Sequence, residues 1–89
     1  MSFDRHKKAT AQLRAMVKCL SIELRSDNAN LEDIEIVAKK ALKKAVQLAE
    51  KFAAAADEDT SPIIEECQEE TEESINALKT IMKSCQDRK

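Results

Sequence analysis

The sequence predicts an all-α fold, in which residues 1–89 form a single domain built as an antiparallel up-down-up three-helix bundle. The chain has no glycine and one proline, which disfavours tight hairpins because glycine adopts positive φ most readily. Strong helix formers, chiefly Ala, Leu, Glu, Lys and Gln, dominate the composition. Three stretches with apolar residues spaced by three and four are separated by two short polar breaks, which indicates three helices joined by short loops.

The first helix is predicted at about residues 3–25, starting at Ser2 or Phe3. Its apolar residues recur at the spacing of one buried stripe, and His6 and Leu24 lie on the same side. The residues of this stripe are Ala9, Leu13, Met16, Val17 and Leu20.

The second helix is predicted at about residues 31–56. Asn30 stands where an N-cap residue is expected, and Glu32 and Asp33 supply negative charge to the first turn. The apolar stripe is broad, as expected for a helix that contacts two neighbours. Its central residues are Ile34, Ala38, Ala41, Ala45, Leu48 and Phe52, and its flanking residues are Val37, Leu42, Val46 and Ala49.

The third helix is predicted at about residues 62–86, after the polar break at residues 57–60. Ser61 as N-cap and Pro62 at the first helical position form a strong helix-start signal. Its apolar stripe consists of Ile63, Ile64, Cys67, Thr71, Ser74, Ile75, Leu78, Ile81, Met82 and Cys85.

The centre of this bundle is predicted to contain small side chains. The up-down-up topology places Leu13 near Ala45 and Thr71. Two alternatives follow: either the helices approach closely at this level, or a shallow cavity lies there.

Charge is distributed unevenly along the chain, although the formal net charge is only −2. Up to Asn30 there are six basic and three acidic residues, giving +3, whereas from Asp57 onward ten acidic and four basic residues give −6. So acidic a third helix argues against a nucleic-acid partner. Its glutamates, between Glu65 and Glu73, are expected to pair with Lys43 and Lys44 of the second helix and with Lys7, Lys8 and Arg14 of the first.

Three cysteines and one histidine are the candidates for reactive chemistry. Cys67 and Cys85 lie about 27 Å apart along one helix, and Cys19 lies at an intermediate height, so no internal disulfide is expected. The same separations disfavour a metal site. Burial as small hydrophobic residues is the expected role of Cys67 and Cys85. His6 is expected near the level of Cys67, which leaves a Cys-His dyad open.

Several function classes are disfavoured by missing residue types. Without glycine, tyrosine or tryptophan the chain has no phosphate-binding glycine loop and no nucleophile elbow, so no catalytic residue, cofactor or small-molecule substrate is expected. No apolar stretch has the length of a membrane span, and no apolar signal segment is apparent, so no membrane partner is expected. An odd number of cysteines then favours a reducing, cytoplasmic location.

The function predicted from these patterns is a non-enzymatic helical bundle that serves as a scaffold or protein-interaction module. Its partner would be another protein or a second copy, bound through a helical face. The residues expected to form this face are Ala11, Ala15, Lys18, Cys19, Ile22 and Ile36. Scattered exposed apolar residues are also ordinary on protein surfaces. The alternative is a thiol-dependent enzyme or redox switch that uses Cys67 with His6, or an exposed Cys19.

The origin of the chain stays open between two readings of its composition. The absence of glycine and the tract from Ala53 to Ala56 are typical of a computationally designed scaffold, whereas designers usually leave out cysteine. The chain resembles no known family closely enough to name one.

Overall fold

The computed structural model describes residues 4–58 and 61–88, and within them the chain forms three α-helices and no strand. The helices are α1 (Asp4–Leu24), α2 (Leu31–Glu58) and α3 (Pro62–Arg88). The predicted all-α three-helix fold is therefore confirmed. Helices α2 and α3 each extend two residues beyond the predicted ends. The predicted start of the first helix, at Ser2 or Phe3, lies outside the described residues.

Contacts between the helices give their relative directions. The ring of His6, near the start of α1, packs against that of Phe52, near the end of α2, so these two helices run in opposite directions. The guanidinium of Arg88, at the end of α3, donates a hydrogen bond to the carbonyl oxygen of Leu24, at the end of α1, over 2.6 Å. Helices α1 and α3 therefore run in the same direction. The result is an elongated up-down-up bundle of 45 × 17 × 15 Å.

Both predicted N-caps are confirmed by their hydrogen bonds. The side-chain oxygen of Asn30 accepts the N–H of Asp33 over 3.2 Å, at the start of α2. The hydroxyl of Ser61 accepts the N–H of Ile63 over 3.3 Å, at the start of α3. Each cap satisfies a backbone donor that the first helical turn leaves without an intrahelical partner.

The connection between α1 and α2 shows how this chain turns without glycine. The N–H of Arg25 donates to the carbonyl of Ile22, and the N–H of Ser26 donates to that of Glu23, each over 3.1 Å. These short-range bonds tighten the chain as it leaves α1. None of the described residues adopts a positive φ, so this turn needs no left-handed residue.

Helices α2 and α3 form the most extensive contact in the bundle, and α1 and α2 the least extensive. Both helices bury small residues: Ala38 and Ala45 of α2 are fully buried, as is Thr71 of α3, and Ser74 is nearly so. Short side chains allow two helix axes to approach closely. Within Asp4–Leu24, by contrast, α1 buries only Thr10, Leu13 and Leu20.

Three residues predicted to lie in the apolar stripes are instead substantially exposed, so these expectations were wrong. Met16 is 39% exposed, and Val37 and Val46 are each 42% exposed. Each helix has only two neighbours, and these residues lie at the edges of their stripes, where neighbouring side chains cover them only in part. Conversely, Thr10 was not predicted to be buried but is 2% exposed, with its hydroxyl donating to the carbonyl of Lys7 over 2.9 Å.

Replacing the cap residue of α2 tests the predicted helix start. Asn30→Ala should lower the free energy of unfolding by about 1 kcal/mol, because the N–H of Asp33 loses its partner. Urea denaturation measures this change. Asn76→Ala, at an exposed mid-helix position, is the matched control and should have no destabilising effect. Equal losses in the two variants would show that the cap has no special role.

The fully buried ring of Phe52 provides the second stability test. Phe52→Ala should cost about 3–5 kcal/mol, because it removes the ring and leaves a cavity beside His6. Phe52→Leu retains most of the apolar volume and should cost less than half as much. Chemical denaturation of both variants measures the difference, and a loss in Phe52→Ala of under about 1 kcal/mol would contradict the packing described.

Candidate functional site

A buried polar contact between α1 and α3 lies at Cys67. Thr10, Cys67 and Thr71 are each at most 2% exposed. The side chain of Thr10 is hydrogen bonded to the thiol of Cys67. The hydroxyl of Thr71 donates to the carbonyl oxygen of Cys67 over 2.7 Å. This cluster satisfies its own polar groups, which is what burial of such groups requires.

The environment of the Cys67 thiol keeps it protonated. Burial raises the pKa of this thiol above its ordinary value of 9.0, and the carboxylates of Glu70 and Glu66 raise it further. The hydrogen bond with Thr10 and the charge of Lys7 lower this pKa but do not outweigh these effects. Nucleophilic cysteines need the reverse, a lowered pKa that supplies thiolate at neutral pH.

His6 contacts an aromatic ring. Its imidazole packs edge-on against Phe52, with ring centroids 5.2 Å apart and ring planes at 80°. This is a favourable aromatic geometry. Among the described residues, the side chains that act on the pKa of Cys67 are Glu70, Thr10, Glu66 and Lys7, and His6 is not one of them. The dyad left open by the sequence therefore has no support from the surroundings of the thiol.

The other cysteines lie where the sequence predicts. Cys85 is fully buried, like Cys67, and Cys19 is an exposed free thiol. Across residues 4–58 and 61–88, no three His, Cys, Asp or Glu residues are grouped so that they could hold a metal ion. In the same ranges, no helix has the length and apolar character needed to cross a membrane.

One of the expected charge pairs between α1 and α3 is formed. The guanidinium of Arg14 lies 3.1 Å from the carboxylate of Glu70. Their side chains are 61% and 27% exposed, so the pair contributes at most about 1 kcal/mol to stability. Both residues line the groove between α1 and α3, and their ion pair links the two helices there. Lys44, also expected to pair with the acidic run, lines a different groove, between α1 and α2.

The structure divides the face that the sequence proposed for partner binding. All six of its residues are exposed. Ala11, Ala15 and Lys18 line the groove of about 460 Å³ between α1 and α3, together with the Arg14–Glu70 pair. The other three residues, Cys19, Ile22 and Ile36, do not line this groove.

A second groove, between α1 and α2, was not predicted as a site. It has a volume of about 290 Å³ and is open to solvent, and we call it the α1/α2 groove. Its apolar lining consists of Ala9, Leu13, Met16, Ala41, Ala45 and Leu48. Its polar lining consists of Gln12, Lys44, Gln47 and Lys51. Leu13 and Ala45 are the residues for which the sequence left close packing or a shallow cavity open, and on this side of the bundle a depression is present.

Comparisons with protein-family models, curated proteins and solved structures found no significant match to this chain.

Alkylation of the three thiols tests their assignment. At about pH 8, Cys19 should react with iodoacetamide at least about tenfold faster than Cys67, because only Cys19 is exposed and burial and the neighbouring carboxylates disfavour the Cys67 thiolate. Mass spectrometry of the cleaved protein gives the rate at each position. Faster reaction of Cys67 than of Cys19 at neutral pH would contradict the assignment and support a thiol-dependent enzyme.

The raised pKa of Cys67 also predicts how stability depends on pH. Because this pKa is higher in the folded than in the unfolded state, the contribution to stability is complete below the ordinary value of 9.0. This contribution is lost as the pH rises through the pKa that Cys67 has in the folded state. In denaturation experiments at increasing alkaline pH, the free energy of unfolding should decline less in Cys67→Ala than in the Cys19→Ala control. Identical declines in the two variants would contradict this linkage.

Proposed function

We propose that this protein is a non-enzymatic helical bundle that acts as a protein-interaction module or scaffold, binding another protein or a second copy through an exposed helical face. The observation that supports this proposal most is the exposure of Ile22 and Ile36, at 58% and 52%. Because each side chain is already about half buried, a partner that covered the rest would contribute about 1 kcal/mol per residue. Association with a partner would bury these side chains and be stabilised by this free energy.

The polar core supports the same proposal. An enzyme site usually combines an enclosed pocket with convergent polar groups and shifted pKa values that favour reaction. Here the described grooves are open, and the raised pKa of Cys67 disfavours the reactive thiolate. The Thr10–Cys67–Thr71 cluster holds α1 against α3, which is a structural role.

The second candidate function is a redox switch at Cys19. The exposure of this thiol is the observation that favours it. A thiol enzyme built on Cys67 and His6 is less well supported, because the neighbours of Cys67 raise its pKa and His6 packs on Phe52. The cytoplasmic location proposed from the cysteines agrees with either function, since reduced thiols persist there. The proposal applies equally to a natural chain and to a designed scaffold.

Sedimentation equilibrium and capture from the native source test the proposed function together. Wild-type protein should show a mass that rises with concentration, or retain a specific partner, and Ile22→Ser with Ile36→Ser should weaken that association at least about tenfold. Val46→Ser, at an exposed aliphatic residue elsewhere on α2, is the matched control and should retain it. A monomer at all concentrations with no partner captured would sink the proposal. Equal loss of the partner in the double variant and in the Val46→Ser control would also contradict it.

A further inference from the structure

The α1/α2 groove has the shape of a site for a helix. Its lining spans residues 9–16 of α1 and 41–51 of α2, a length of about 15 Å or three helical turns. The floor is closed, since Ala41 is 3% exposed and Ala45 is fully buried. The apolar side chains that a partner could contact are therefore those of the walls, chiefly Met16, which is 39% exposed, and the half-buried Leu48.

The walls of the groove suit a protein ligand better than a small molecule. The groove is open to solvent, whereas pockets that bind drug-sized molecules bury most of the ligand's surface. Met16 stands on its wall, 39% exposed. Methionine adapts its shape to a partner and is frequent on helix-binding surfaces.

Charge at the rim specifies the chemistry of the partner. The charged side chains that line the groove are Lys44 and Lys51, and no carboxylate lines it. They are seven residues apart, so they lie on the same side of α2, separated by about 10 Å along its axis. A helix with two carboxylates at the same seven-residue spacing would match both cations.

A second copy of this chain fits the groove poorly. Docking two such grooves against each other would oppose Lys44 and Lys51 to the same cations of the other copy. Helix α3 carries the acidic residues of this chain, but its large apolar side chains, such as Ile64 and Leu78, are already buried in its own bundle. The occupant therefore belongs to a different protein.

We propose that the α1/α2 groove binds an acidic amphipathic helix of a partner protein, which adds a fourth helix to the bundle. The small apolar face of that helix packs on Met16 and Leu48, and carboxylates one heptad apart engage Lys44 and Lys51. This inference rests on the proposed function and adds to it a second surface, separate from Ile22 and Ile36, together with the chemistry of the partner.

A synthetic peptide tests the proposal directly. The probe is an amphipathic helix of about four turns with an Ala/Leu stripe, two glutamates seven residues apart, and one tryptophan at the edge of the stripe. Since the chain has no Trp or Tyr, the fluorescence of the peptide alone reports binding. We expect a blue shift on binding and a change in the NMR signal of the Met16 methyl group. A second peptide with lysines in place of the glutamates should bind at least about tenfold more weakly.

Charge-reversed variants locate the site. Lys44→Glu with Lys51→Glu should weaken the acidic peptide at least about tenfold and improve the binding of the basic one. Lys39→Glu with Lys83→Glu changes the net charge by the same amount at exposed lysines outside the groove, and should change the affinity by less than about twofold. Circular dichroism confirms that all variants remain helical.

Three outcomes would overturn the inference: no binding of the acidic peptide, equal losses in both charge-reversed pairs, or NMR changes confined to residues away from Met16. Vesicles of phosphatidylcholine and phosphatidylserine serve as the membrane comparison, and perturbation of Met16 by these vesicles but not by the peptide would also overturn it. If the peptide fails while capture of a partner still depends on Ile22 and Ile36, the proposed function stands without this groove. If the peptide binds as expected and Ile22→Ser has no effect, the groove is the interaction surface.

Discussion

The close contact between α2 and α3 determines how the remaining surface of the bundle is arranged. Ala38 and Ala45 of α2 are fully buried, and Thr71 and Ser74 supply small side chains on α3. Small buried residues allow neighbouring helix axes to approach closely. Helix α1 then lies across a pair that is already packed. It forms an extensive contact with α3 and a smaller one with α2.

The two sides of α1 differ as a consequence. Against α3, the Thr10–Cys67 hydrogen bond, the Arg14–Glu70 pair and the bond from Arg88 to the carbonyl of Leu24 hold the helix at successive heights. Against α2, the ring contact of His6 is made at one end, and the middle is left as the α1/α2 groove. The α1/α2 groove is therefore present because α1 packs more extensively on α3 than on α2.

Much of the fold follows from the sequence because its signals are local. Asn30 and Ser61 are recognised as caps from residue type and position, and their hydrogen bonds confirm them. Apolar spacing also identifies the most buried positions, such as Phe52 and Leu78. Exposure at stripe edges could not be predicted, because it depends on how far neighbouring helices extend over each side chain. Met16 was misassigned for this reason, and Thr10 was missed because its burial requires a bond to a carbonyl one turn away and a thiol on another helix.

The candidate site was harder to predict from the sequence than the fold. The residues proposed for partner binding are indeed exposed, yet three of them line the α1/α3 groove and three do not. The α1/α2 groove combines residues about thirty positions apart, so no local pattern reveals it. The sequence does show that Lys44 and Lys51 are seven residues apart and lie near Ala41 and Ala45. That spacing indicates a groove only once the position of α1 is known.

Helix α1 is held mainly by α3 and leaves its α2 side open. Native-state hydrogen exchange, resolved by residue, measures this difference most directly. Amides of α1 should exchange at least about tenfold faster than the slowest amides of α2 and α3, because α1 opens without disrupting the α2/α3 contact. Equal protection of all three helices, or highest protection in α1, would contradict it.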